Sequence, residues 1–312
     1  MQQLTRSDIS GAIAAAGISA GDIVYLQIDL RTLGVIKGAR TREAFCGTYL
    51  EAIFDVLGRQ GTLVVPTYTT QVARFDMDFI WEETPTLLGT FPEFIRRHPD
   101  SLRSLHPLHS VAAIGARKEL ICADNGLSDF GWNSPYHRML EAGAKLLTMG
   151  LESGYVVGIS HHLDAACGLP YVYNKLLKWV PIVRGQPVGR QYFACVRHLD
   201  LTVSYHLRDF VKHMRRLGGV SSVRLGGSWV HKADYRQVFE EGARCLADNP
   251  YCMLKEPPRF TYGAVPFDGP TAGRDGIAGA NETGQLKGIN WIGYYFDRGS
   301  PGGDDAELET TS

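Results

Sequence analysis

The sequence predicts a layered α/β fold, on three observations. Short apolar runs of strand length alternate with segments whose apolar residues recur at helical spacing. Glycine and proline punctuate the boundaries between them. One stretch, residues 21–66, reads as strand, helix, strand, with a crossover long enough for a layered unit.

The elements follow in chain order. Residues 7–16 alternate apolar and small side chains at helical spacing and stop near Gly17. Gly21-Asp22 leads into Ile23-Val24-Tyr25-Leu26-Gln27-Ile28, an apolar run of the kind buried in a sheet. Residues 41–57 carry the next helical pattern, closed by Gly58 and Gly61. Leu63-Val64-Val65-Pro66 is a strand that proline ends. A short helix is expected over 89–97 and a strand over 110–115. Ser134-Pro135 has the chemistry of an N-cap and first helical residue, so a helix starts there and runs to 142. Lys145–Met149 is a further strand, and 161–168 a helix stopped by Gly168 and Pro170. Then come a strand at 192–196, an amphipathic helix at 204–217 and two short strands at 220–225 and 228–231. A last helix at 234–247 ends at Asn249-Pro250.

At 312 residues the chain exceeds one typical domain and falls short of three. Residues 1–267 are expected to form one domain. From 268 the composition shifts to Gly, Asp, Thr and Asn, with an acidic end at Asp304-Asp305-Ala306-Glu307. This extension, 268–312, reads as a loosely ordered tail. An aromatic island interrupts it at 289–296, too apolar to stay in water without a partner. The island would pack on the domain or on a second subunit, which leaves a homodimer open. Apolar content of 44% is ordinary, and no run has the ~18–20 apolar residues of a membrane span. Met1 to Ser7 has no apolar core of a signal peptide, so a cytoplasmic location is expected. The six cysteines form no C-x-x-C pair and read as free, mostly buried thiols. A net charge of −1 without basic runs carries no nucleic-acid footprint.

Two stretches carry chemistry. Arg103-Ser104-Leu105-His106-Pro107-Leu108-His109-Ser110 reads as a loop offering donors to an anionic ligand. His161-His162-Leu163-Asp164 puts a histidine and a carboxylate three apart on a helix, hence on one face. Asp164 would accept from one ring nitrogen of His161 and leave the other as a base, which points to transfer chemistry. The bland alternative is a core histidine bonded to a carbonyl. Adjacent helical residues diverge by about 100°, so His161 and His162 do not make a metal pair, and no metal is expected. The chain has no G-x-S-x-G elbow and no phosphate-binding P-loop.

In order and spacing, five motifs resemble the aminoglycoside 3-N-acetyltransferase family over about residues 5–255. They are Gly21-Asp22; Gly61-Thr62-Leu63-Val64-Val65-Pro66-Thr67-Tyr68-Thr69; Arg103-Ser104-x-His106-Pro107-x-x-Ser110-x-x-Ala113-x-Gly115; Gly131-x-x-Ser134-Pro135; and His161-x-x-Asp164. The resemblance implies a three-layer α/β/α sandwich with a mixed central sheet. It also implies an acyl-CoA dependent N-acyltransferase, with acetyl-CoA or another acyl-CoA as co-substrate. The family's base histidine is matched by His161. Its glutamate partner is matched by Asp164, one methylene shorter. Where the family carries a His-Ser/Thr-Ser run after the first strand, this chain has Gln27-Ile28-Asp29.

Arg103 would pair with a coenzyme phosphate, its alternative being a solvated loop arginine. His106 would contact the coenzyme or the acyl carbonyl, its alternative being a turn residue. Ser104 and Ser110 would donate to the cofactor or simply organise the loop. Tyr68 and Ser134 would join them; the bland reading of Ser134 is a helix N-cap. Asp29 would recognise the acceptor, its alternative being a cap carboxylate, and His162 would serve packing or substrate contact. The acceptor is expected to be a small-molecule amino sugar, and a nucleotide-linked one is preferred. The loops near the cleft hold Arg31, Arg74 and Arg103 against Asp29, Asp76 and Asp164, a set suited to phosphates rather than to a polycation. An aminoglycoside acceptor, giving antibiotic resistance, and a non-catalytic coenzyme- or sugar-binding member are the alternatives.

Overall fold

The computed structural model describes residues 2–151, 154–198, 201 and 203–260. The end of the expected domain at 267, the extension from 268 and its aromatic island at 289–296 lie outside the described residues.

Local chemistry sets the elements. Helix α1 (Arg6–Ala15) starts at Thr5, whose side chain accepts from the Asp8 N–H while Asp8 returns to the Thr5 N–H. Strand β1 (Ile23–Ile28) follows. Helix α2 (Arg42–Leu57) is capped by Thr41 and ended by Gly58 at φ 62°, a left-handed conformation that favours glycine. Then come β2 (Thr62–Pro66), α3 (Thr90–Arg96), β3 (Leu102–Arg103), β4 (Val111–Gly115) and α4 (Lys118–Cys122). Next are α5 (Pro135–Glu141), β5 (Lys145–Met149), α6 (Gly154–Cys167), β6 (Val172–Leu176) and β7 (Phe193–Arg197). The last are α7 (Arg208–Arg216), β8 (Val220–Leu225), β9 (Ser228–Asp234) and α8 (Tyr235–Asp248).

Seven strands form one sheet in the order β8–β9–β5–β1–β2–β4–β3. β1 is parallel to β2 and β5, and every other pairing in the sheet is antiparallel, so the sheet is mixed. Alternation along β1 divides the core: Ile23 and Tyr25 face one cluster, Val24 and Leu26 the other. Ile121, Met139, Ile159 and Val238 bring α4, α5, α6 and α8 onto the first face. Ile13, Ile53 and Ile95 bring α1, α2 and α3 onto the second. This is the expected three-layer sandwich. Each aliphatic side chain so buried contributes roughly 1.5–3 kcal/mol, which explains why the central strands read as unbroken apolar runs.

The expected helix at 204–217 begins only at Arg208, α4 and β3 have no counterpart among the expected elements, and three further departures bear on the packing. α6 begins at Gly154, well before 161. Glycines read as breakers, yet Gly158 is what lets this helix lie close on the sheet: a Cβ there would meet the Tyr25 ring at 2.8 Å and Gln27 Nε2 at 3.1 Å. Gly158→Ala is therefore expected to lose about 1–3 kcal/mol of stability through overpacking, read from urea unfolding. An unchanged midpoint would show that the sheet yields there. Second, β6 pairs with β7 outside the main sheet, where they pack with Phe79, Leu108, Trp179 and Tyr192 in a third cluster. Its polar, half-exposed sequence hid β6. Third, all six cysteines are free, but only Cys46 and Cys122 are buried, and Cys167 is exposed.

Candidate active site

The site lies at the edge of the sheet where β1, β2 and β5 end and β4 begins, the kind of edge at which α/β folds collect ligand residues. The β2–β4 ladder runs on beyond the strands. The Thr67 N–H donates to the Ser110 carbonyl at 2.9 Å and the Thr69 N–H to the Leu108 carbonyl at 2.8 Å. That register sets Tyr68 opposite His109, and their rings meet edge to face with centroids 4.9 Å apart.

The 103–110 string is thus a bonded hairpin rather than an open anion loop. Arg103 is buried beneath it. Its guanidinium donates to the Ser110 Oγ at 3.0 Å and to the carbonyls of Trp81, Thr84 and Thr67 at 3.0, 2.8 and 3.2 Å. Burial, with the nearby Arg96 charge, pushes it down to about 9. Ser110 donates to the Thr67 carbonyl, and the Ser104 Oγ accepts the Val111 N–H. His106 is buried and in one tautomer. Its Nε2–H donates to the Phe193 carbonyl at 2.9 Å, while Nδ1 accepts the N–H groups of Leu108 and His109. Burial lowers its pKa to about 4, so the ring is neutral. Arg103, Ser104, His106 and Ser110 are therefore hydrogen-bonded to the protein itself, and these bonds organise the loop.

Three more of the expected site residues have partners within the protein. Ser134 is a buried N-cap that accepts the His137 N–H at 3.2 Å. Asp29 caps a short turn of helix and is tied to the Arg31 guanidinium at 2.9 and 2.7 Å. His162 is buried against Phe239, and its Nδ1 shares a hydrogen bond of 3.0 Å with the Tyr235 hydroxyl. Burial lowers its pKa to about 3. It packs the core, one of the two readings open to it.

His161 and Asp164 do come together. Nδ1 of His161 lies 3.5 Å from Asp164 Oδ2, with the histidine side chain 25% exposed and the carboxylate buried. Asp164 also accepts from the hydroxyls of Tyr205 and Tyr171. Two hydroxyl donors and a histidine satisfy a buried charge that would otherwise be costly.

A second pair escaped the sequence reading. His109 Nδ1 lies 2.8 Å from Asp129 Oδ2. Asp129 is fully buried and also accepts the N–H groups of Phe130 at 2.8 Å and Cys195 at 3.0 Å. Burial alone would raise this carboxyl, but the His109 hydrogen bond and the Cys195 N–H outweigh it and hold it below its usual range. The Phe130 ring separates the two pairs, its centroid 5.0 Å from that of His109 and 5.5 Å from that of His161. No helical spacing links His109 to Asp129, twenty residues on. The available signal was a histidine beside Ser110 and an aspartate just before Phe130-Gly131. Among the described residues no group of three or more His, Cys, Asp or Glu is placed to hold a metal, and no helix is long and apolar enough to cross a membrane.

Residues 27–247 match the model of the aminoglycoside 3-N-acetyltransferase family, a span that holds both pairs. The chain belongs to that family. The aminoglycoside N(3)-acetyltransferase VII of Streptomyces paromomycinus is 28% identical over 54% of this chain, which spans 62% of that protein's length. The aminoglycoside N(3)-acetyltransferase IX of Micromonospora chalcea is 26% identical over 61% of this chain and 72% of its own. Among solved structures, AAC-IIIb in binary complex with CoASH superposes with a TM-score of 0.65 at 20% identity, over 82% of this chain and 100% of that one. AAC-VIa bound to sisomicin gives 0.65 at 20% identity, over 79% and 98%. These likenesses extend the family assignment to the fold.

Proposed function

We propose that this member of the aminoglycoside 3-N-acetyltransferase family moves an acyl group from a coenzyme A thioester to an amine of an aminoglycoside. One observation carries the reading: His161 stands partly exposed on α6 with one ring nitrogen toward a buried, fully bonded carboxylate. That arrangement holds the imidazole in one orientation, and its other nitrogen is assigned as the base. The amine nitrogen attacks the thioester carbonyl as His161 takes its proton, and the thiol departs. Direct attack is favoured over an acyl-enzyme, because burial pushes the Cys195 thiol, the one beside Asp129, far up and makes it a poor nucleophile.

The acceptor reading moves away from a nucleotide-linked amino sugar. Of the three cations that would favour phosphates, Arg103 is buried and donates to backbone carbonyls, and Arg31 is paired with Asp29. The family match and the sisomicin complex of AAC-VIa support an aminoglycoside instead. With acetyl-CoA as donor and thiol release as readout, specificity for an aminoglycoside such as sisomicin is expected to exceed that for any nucleotide-linked amino sugar by at least about tenfold, some 1.4 kcal/mol at the transition state. The reverse order would overturn the acceptor assignment.

A further inference from the structure

The mechanism above uses one histidine–carboxylate pair, and a second lies beside it across the Phe130 ring. His109 is 15% exposed and bonded through Nδ1 to a carboxylate with no exposure at all. Its Nε2 makes no hydrogen bond among the described residues, although the ring is walled by Tyr68, His106 and Phe130. A histidine held this firmly at one nitrogen and open at the other is placed to exchange a proton with a ligand. It stands across a single phenyl ring from the base.

We propose that His109, oriented by Asp129, delivers the proton to the sulfur of the departing coenzyme A while His161 removes one from the attacking amine. This deepens the acyltransfer reading and rests on it. In the forward step the C–N bond forms and His161 takes the amine proton. The C–S bond then breaks, its electron pair leaves on sulfur, and the Nε2 proton of the His109 imidazolium converts the thiolate to the thiol. His109 ends neutral, with Nδ1–H still on Asp129, and His161 ends protonated. Solvent returns the proton from one to the other and closes the cycle. The roles divide by geometry. The His109 contact is 2.8 Å, a short charge-assisted bond that suits the ring carrying an extra proton. The His161 contact is 3.5 Å and its carboxylate is shared with two hydroxyl donors, which suits the base.

The test separates leaving groups. Acetyl-CoA expels an alkyl thiolate that needs a proton, whereas S-phenyl thioacetate expels a far weaker base. His109→Gln is expected to lower turnover about 10²-fold with acetyl-CoA. Its loss with the phenyl thioester, after the uncatalysed aminolysis is subtracted, should be at least tenfold smaller. Asp129→Asn should show the same donor dependence, and His161→Ala should lose turnover with both donors alike. On the unmodified protein, a series of thioesters of falling thiol acidity should show only a shallow fall in rate, a readout that needs no variant to fold. Equal losses with both donors, no loss with acetyl-CoA, or a steep dependence in the unmodified protein would overturn the proposal and leave the base assignment standing. No transfer from either donor to any amine by the unmodified protein would instead remove the acyltransfer reading, and this proposal with it.

Discussion

Replacing His161 by alanine is expected to lower turnover with acetyl-CoA by about 10²- to 10⁴-fold, the range for a lost general base. The side chain is 25% exposed on α6 and contributes little to the core, so the variant should fold. Its neighbours Phe130 and Tyr205 lose one ring contact each. Coenzyme affinity should change little, because the base acts on the amine rather than on the donor. Asp164→Asn should cost less activity, since the base remains and only its orientation and charge partner are weakened. Steady-state kinetics for the two variants, with direct binding of acetyl-CoA, check both statements. Near-normal turnover of His161→Ala at neutral pH would remove the base assignment. Near-normal turnover of Asp164→Asn across the pH range would make that carboxylate a structural residue.

Arg103→Ala is expected to be the most destabilising single change in the site region, on the order of 3 kcal/mol or more. The guanidinium gathers three backbone carbonyls and the Ser110 hydroxyl beneath the hairpin and lies over the Phe79 ring. Its removal takes the donor from the Trp81 and Thr84 carbonyls, while the Thr67 carbonyl keeps the Ser110 hydroxyl. Arg103→Lys should recover little, because one ammonium cannot reproduce the planar fork that spans Trp81, Thr84 and Thr67. Thermal unfolding reads the effect at roughly 2–4 °C per kcal/mol for a chain of this size. The same experiment decides between two roles. A residue that held a coenzyme phosphate would raise the KM for acetyl-CoA and leave the melting temperature nearly unchanged, and that result would restore the phosphate contact.

By itself the sequence determined what depends on neighbours along the chain. Apolar runs marked β1, β2, β4 and β5, because strands covered on both faces leave no polar side chains to break the run. Ser134-Pro135 marked the start of α5, because an N-cap bonds within its own first turn. His161 and Asp164 were legible because helical spacing joins residues three apart. Tertiary structure alone decided what depends on contacts between distant segments. The spacing of Arg103, His106 and Ser110 was visible, but not that their polar atoms turn inward to carbonyls of other segments. Asp129 meets His109 only because a bridge from Ser128 to Phe193 lays its segment along β7, where the Cys195 N–H and the His109 ring converge on one buried carboxylate. A polar residue in a sequence advertises a hydrogen bond. Which partner satisfies it, the fold or a ligand, is settled by burial, and burial belongs to the packed chain.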